Sequence, residues 1–231
     1  MCSFFFLVPL KPVAFFPLNG QYETTDISHS QNPPGEASNV ELAPGPDGCD
    51  GGSYQFKGME TSFITFTNTG GLDTRYSFTF LVWIYQEHTK GPIFYYFAPG
   101  YYGVRLMVDE QGSFYVNLRT SQSAALRVLK ASVLEEKKWH FIGSSYDYVS
   151  GELILWVNGS VHKKVIIDSP AELATQANVT MGGLPGEAGQ YSGRFSCFQL
   201  YDRVLTESEI ENAKQLCSTT GNLRSGHCLI Y

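Results

Sequence analysis

Residues 76–85 read Tyr-Ser-Phe-Thr-Phe-Leu-Val-Trp-Ile-Tyr, ten positions without a glycine, a proline or a charge. The β-branched and aromatic content predicts a strand. Alternation then places Phe78, Phe80, Val82 and Ile84 on one face, and Ser77, Thr79, Leu81, Trp83 and Tyr85 on the other. A strand that is apolar on both faces belongs in the interior of a layered β-structure.

Working outward, short apolar runs bounded by turn residues predict strands at 53–56, 62–66, 93–96, 103–108 and 113–119, then at 139–146, 152–157, 160–166, 179–182 and 193–201. Asn158-Gly159 is a two-residue hairpin signal, because a type I′ turn needs positive φ at both central positions. Upstream, a first strand is expected within 12–18. The polar, Pro- and Gly-rich stretch 26–52 reads as a long surface connection with at most a short strand at 40–42. One helix is expected, with Thr206 as its cap and Glu209 closing the capping box before Ile210, Ala213 and Leu216. It should end near Cys217. Many short strands and one helix specify an all-β chain folded as a β-sandwich.

Composition agrees. Of 231 residues, 43% are hydrophobic and 14% aromatic, while 16% are charged against the roughly 25% usual in soluble domains. The net charge of −6, with no basic run longer than Lys137-Lys138 or Lys163-Lys164, gives no footprint for nucleic acid. No stretch of about 20 apolar residues is present to span a membrane. Residues 1–11 read as an N-terminal extension or the remnant of a targeting segment: Phe4 to Val8 is apolar, but no basic start precedes it, and Pro9, Pro12 and Pro17 interrupt the apolar character. Residues 12–216 form the expected domain, and 217–231 a C-terminal tail. Five cysteines show no Cys-x-x-Cys spacing, so disulfides are expected rather than zinc, with Cys2 as the odd one out.

The order of these pieces resembles the laminin-G-like group of concanavalin A-like jelly rolls, in its pentraxin-like subtype. The opening Phe16-Pro17-Leu18-Asn19-Gly20, the strand end Phe56-Lys57-Gly58, the strand Ser77 to Trp83, the pieces Trp139-His140-Phe141 and Leu155-Trp156-Val157-Asn158-Gly159, and the ending from Gly193 to Ile210 come in the family's order. The resemblance implies a two-sheet antiparallel jelly-roll sandwich with one short C-terminal helix. It also implies a non-enzymatic recognition module that is extracellular or secreted, alone or as a fragment of a larger surface protein. Its partner would be a glycan or an extracellular protein, in lectin-like or adhesive roles; a structural matrix component is the alternative.

Candidate sites emerge from the residues and that resemblance. The resemblance implies calcium on one edge, and Asp26 matches the first ligand position; Lys57 and Ser196 stand where further acidic ligands would be, and a solvated loop aspartate is the plainer reading of Asp26. A glycoside hydrolase of this fold would need paired carboxylates, and the only Glu-x-Glu-x-Glu spacing, Glu207, Glu209 and Glu211, falls on the predicted helix, where it scatters around the axis. The five histidines are single, and most read as ordinary surface residues. Tyr95, Tyr96, Tyr101 and Tyr102 form an aromatic patch suited to stacking on a ligand, with alternate residues serving as core. Asn158 and Asn178 both lie in N-glycan acceptor triplets, the first doubling as a hairpin turn. Expected disulfides join Cys217 to Cys228 and Cys49 to Cys197, the latter holding an edge that calcium holds in relatives.

Overall fold

The computed structural model describes residues 10–87, 90–98, 101–120, 123–167, 172–186 and 189–220. Fifteen strands and one helix follow in order: β1 (Ala14–Phe16), β2 (Glu36–Ser38), β3 (Val40–Ala43), β4 (Ser53–Lys57), β5 (Phe63–Phe66), β6 (Phe78–Gln86), β7 (Gly91–Ala98), β8 (Tyr101–Val108), β9 (Ser113–Thr120), β10 (Ser123–Ser132), β11 (Trp139–Tyr146), β12 (Glu152–Val157), β13 (Ser160–Ile166), β14 (Val179–Gly182), β15 (Ser192–Tyr201) and α1 (Glu207–Thr220). They build two antiparallel sheets. The first runs β13-β12-β11-β6-β15-β4-β3, with β1 also on β15; the second runs β10-β9-β8-β7-β14-β5-β2. This is the jelly-roll sandwich with a C-terminal helix that the family resemblance implies.

The sheets close on a phenylalanine-rich core. Phe198 stands at its hub, with ring centroids 5.3 Å from Phe80, 5.4 Å from Phe66, 5.5 Å from Phe94 and 5.6 Å from Phe16. Those four rings come from β6, β5, β7 and β1, so one side chain ties both sheets together. Aromatic contacts at such separations add to the burial of each ring.

The strand at 76–85 sits near the middle of the first sheet, between β11 and β15, as β6. Phe78, Phe80, Val82 and Ile84 enter the inter-sheet core, as the alternation requires. The other face departs from the expectation of a purely sheet-covered interior. Leu81 and Trp83 pack with Phe141, Ile154, Trp156, Tyr201, Leu205, Ile210 and Ala213, so the second layer over β6 is helix α1 and its lead-in.

Local signals hold where backbone geometry decides them. Asn158 and Gly159 have φ of 51° and 100°, as the hairpin turn needs. The Thr206 amide donates to Glu209 Oε2 at 2.8 Å, and the Glu209 amide reaches Thr206 Oγ1 at 3.4 Å. Arg203 grips the same carboxylate at 2.6 and 3.1 Å and holds Glu209 down at about 2. Two strands escape the sequence reading, β2 and β10, and β1 is shorter than expected. The helix runs on to Thr220, so the expected boundary after Leu216 falls inside it.

One irregularity organises an edge. Strand β15 pairs with β4 over its first half and with β1 over its second, and its register on β6 shifts between Ser196 and Gln199. Cys197 lies within that bulge at φ 57°, a left-handed conformation that few non-glycine residues adopt, with its amide donating to Pro17 O at 2.9 Å. Gln199 Nε2 reaches Cys197 Sγ at 3.2 Å and Ala213 O at 2.9 Å, linking the bulge to α1.

Candidate functional site

The two outer faces of the sandwich differ. Helix α1 covers the middle of the first sheet, whereas the second sheet turns an aromatic groove outward. Core residues on β5, β14 and β7 are Ile64 and Phe66, Val179 and Met181, and Ile93, Phe94 and Tyr96. Alternation therefore sends Phe63 and Thr65, Thr180, and Tyr95 and Phe97 to the opposite face. With Gly183, Leu184 and Pro185 from the loop after β14, they line a depression of about 220 Å³. Register aligns its floor: Thr65 lies opposite Thr180, Thr180 opposite Tyr95, and Tyr95 opposite Arg105, with Asn117 next in the row.

The polar atoms of this floor are mostly engaged. The Thr65 and Thr180 hydroxyls share a 3.0 Å hydrogen bond, and Tyr95 O–H donates to Gly183 O at 2.8 Å. Burial raises the Tyr95 phenol, so it stays a neutral donor. At the β8 end the Tyr102 ring stands 5.9 Å from Tyr95 and 5.6 Å from Phe97, and the Arg105 guanidinium lies 5.1 Å from its centroid. Among the described residues, the buried Asn117 Oδ1 atom has no hydrogen-bond partner. Phe97 is 50% exposed, an unusual position for a phenylalanine at the centre of a sheet.

The four tyrosines expected to form a patch thus separate. Tyr96 points into the core, fully buried, with its hydroxyl on Leu72 O at 2.5 Å. It is removed from the candidate ligand surface. Tyr95 is buried too, but on the outward side, where it forms the groove's floor. Tyr102 is a half-buried rim residue, and the Tyr101 side chain lies outside the described residues. Sequence reasoning missed Phe63, Thr180, Leu184 and Pro185, which no local pattern connects to β7.

Asp26 has a different role from either expectation. It is buried rather than solvated. One oxygen accepts from the Phe15 and Ser28 amides, both at 2.8 Å; the other accepts from the Ser28 hydroxyl, the Asn32 amide and Asn32 Nδ2 at 2.8, 2.9 and 2.7 Å. Five donors surround a carboxylate that a cation would need bare, and Lys57 is committed to Glu41 at 2.9 Å. These residues do not fit a calcium ion; Asp26 instead pins the 26–32 loop to β1. His140 is an exception among the histidines. It is buried, its Nε2 accepts the Glu135 amide at 3.0 Å, and burial lowers its pKa, so the ring is held neutral.

Glu207, Glu209 and Glu211 lie on α1, where Glu209 serves the cap and Arg203, and Glu211 meets Lys214 and Gln215. Both acceptor asparagines are exposed. Cys49 and Cys197 are each disulfide-bonded, and Ser196 Oγ donates to Gly52 O at 2.8 Å, bringing the 45–52 turn against the β15 bulge. Cys2 and Cys228, and the side chain of Cys217, fall outside the described residues. Among the described residues, no helix is long and apolar enough to cross a membrane.

Comparison with solved structures supports this architecture at low sequence identity. The binding domain of botulinum neurotoxin serotype G superposes with a TM-score of 0.72 at 12% identity over 94% of this chain and 54% of that one. The binding domain of Paraclostridial mosquitocidal protein 1 gives 0.70 at 16% identity over 92% and 53%. The ligand-binding domain of botulinum neurotoxin serotype D, solved with N-acetylneuraminic acid, gives 0.72 at 12% identity over 89% and 50%. The chain therefore spans about half the length of these domains, and at such identities the likeness is one of fold. No curated protein sequence matches it. A laminin-G-type family model, described as concanavalin A-like lectin/glucanases superfamily, matches residues 56–211. With more than half of its length matched and both sheets in place, the chain belongs to that superfamily.

Proposed function

We propose that this domain is a non-enzymatic recognition module that works outside the cell and holds its ligand in the groove on the outer face of the second sheet. The observation that carries this reading is the groove itself, a concave apolar site on a sheet face that α1 does not cover. Two disulfide-bonded cysteines support an oxidising setting, and we propose that they form one Cys49–Cys197 bond.

The groove's chemistry favours a protein ligand over a sugar. A pyranose brings several hydroxyls that must find partners, and those left unpaired on burial cost free energy. The Thr65, Thr180 and Tyr95 hydroxyls are already bonded to one another or to backbone. An aliphatic or aromatic side chain fits without that cost. A displayed-peptide library and a glycan array, each probed with the protein and with Phe63→Ala, test this. Peptides selected with an apolar anchor should bind Phe63→Ala at least about tenfold more weakly. Specific sugar binding indifferent to Phe63 would overturn the assignment.

A further inference from the structure

We propose that Asn178 carries an N-linked glycan whose first N-acetylglucosamine rests on the exposed ring of Phe97, forming a carbohydrate rim at one end of the groove. The inference rests on the extracellular setting argued above. Asn178-Val179-Thr180 is an acceptor triplet, and Asn178 is exposed at the start of β14. Val179 pairs with Tyr96 and Thr180 with Tyr95, so Asn178 falls opposite Phe97. The Phe97 amide donates to Asn178 O at 3.2 Å, in agreement with that register.

Because Val179 and Tyr96 face the core, Asn178 and Phe97 share the outer face, where directly opposed Cβ atoms stand about 5 Å apart. The Asn178 amide is also oriented. Its Oδ1 accepts the Asn68 amide at 3.0 Å, which leaves Nδ2, the atom that takes the sugar, directed away from Asn68. Half of the Phe97 ring is exposed, with Tyr102 against it at 5.6 Å. The apolar face of a sugar covering that ring removes apolar surface from water without burying the sugar's hydroxyls.

Asn158 offers the contrast. Its Oδ1 accepts the Phe141 amide at 3.0 Å, and the Phe141 ring is itself buried. A Cβ at Gly159 would stand 2.5 Å from Glu211 Oε2, so this turn is packed against α1. Phe141, the residue Asn158 bonds, offers no exposed ring of the kind Phe97 offers Asn178.

The test uses the full chain secreted from a eukaryotic host, as wild type and as Phe97→Ala. Peptide mapping should find Asn178 occupied. Trimming the glycan to one N-acetylglucosamine should leave Tm unchanged in the wild type. Complete removal with an amidase should lower Tm by about 2–4 °C, and the same removal should leave Tm of Phe97→Ala within error. An unmodified Asn178, or an equal loss in both proteins, would overturn the proposal. Either result would leave the recognition reading standing, because that reading is judged on Phe63→Ala.

Discussion

Each sheet carries apolar side chains on the face turned away from the shared core, and the two faces meet different ends. On the first sheet Leu81, Trp83, Phe141, Ile154 and Trp156 are roofed by Leu205, Ile210 and Ala213 of the α1 segment. On the second, Phe63, Tyr95 and Phe97 open into a groove, with the 183–185 loop as its wall among the described residues. Both faces look alike in sequence, since outward aromatics alternate with inward ones in each. Among the described residues, what separates them is whether a helix covers the face. Covered residues act as a second core; uncovered ones form the groove in which we propose the ligand binds.

The comparison can be broken first at what both faces share. Phe198 contacts rings from both sheets and is fully buried. Phe198→Ala should cost about 3–5 kcal/mol by chemical denaturation, the largest single effect expected. A loss under 1 kcal/mol would mean that the sheets do not close on this hub.

Next comes the covered face. Ile210→Ala removes a fully buried side chain from under α1 and should cost about 2–5 kcal/mol. If the protein loses helix signal but keeps its unfolding midpoint, α1 is an appendage and the contrast between the faces fails. A gentler probe is Thr206→Ala, which deletes the cap and should cost about 1 kcal/mol. Acid should act at the same cap. Glu209 is held at about 2, below the ordinary 4.5; its contribution is complete above pH 4.5 and is lost as pH falls from there toward 2. Glu209→Gln should therefore approach the wild-type stability as pH drops through that window.

The smallest effect is expected on the uncovered face. Phe97→Ala, in protein made without a glycan, should change stability by no more than about 0.5 kcal/mol, because half of the ring is already in water. A cost comparable with that of Ile210→Ala would make Phe97 a core residue and remove the reason to regard the groove as a site.

Much of the fold was legible because its decisive features are local. Two-sided apolarity in β6, the Asn158-Gly159 turn and the Thr206–Glu209 box each state their geometry within ten residues. Strand β10 was not legible. Its Ser-Ala-Ala-Leu-Arg start has no alternation, and it is a strand because it pairs with β9, with a register shift between Ser123 and Arg127 and with Leu129 and Ala131 entering the core. The three residues of β2 are held as an edge by β5 alone. For the groove, the aromatic cluster on β7 pointed to the right region but not to the right side chains. Tyr96 and Phe97 are neighbours with opposite fates, decided by which sheet face each meets. Thr180 and Phe63 join them only because β14 inserts between β7 and β5, pairings across more than eighty residues that no local pattern announces. Asp26 was found for the wrong reason: a loop carboxylate looks the same in sequence whether it waits for a cation or gathers five donors.

The claim that the uncovered face is the recognition surface can be tested directly by NMR, titrating isotope-labelled protein with indole, as a free aromatic side chain, and separately with N-acetylneuraminic acid. Indole should shift the resonances of Phe63, Thr65, Thr180 and Leu184 while those of Ile210, Ala213 and Trp156 stay in place, and the sugar should leave the groove unmoved. Shifts centred on α1, or a groove that answers to the sugar and not to indole, would contradict the account.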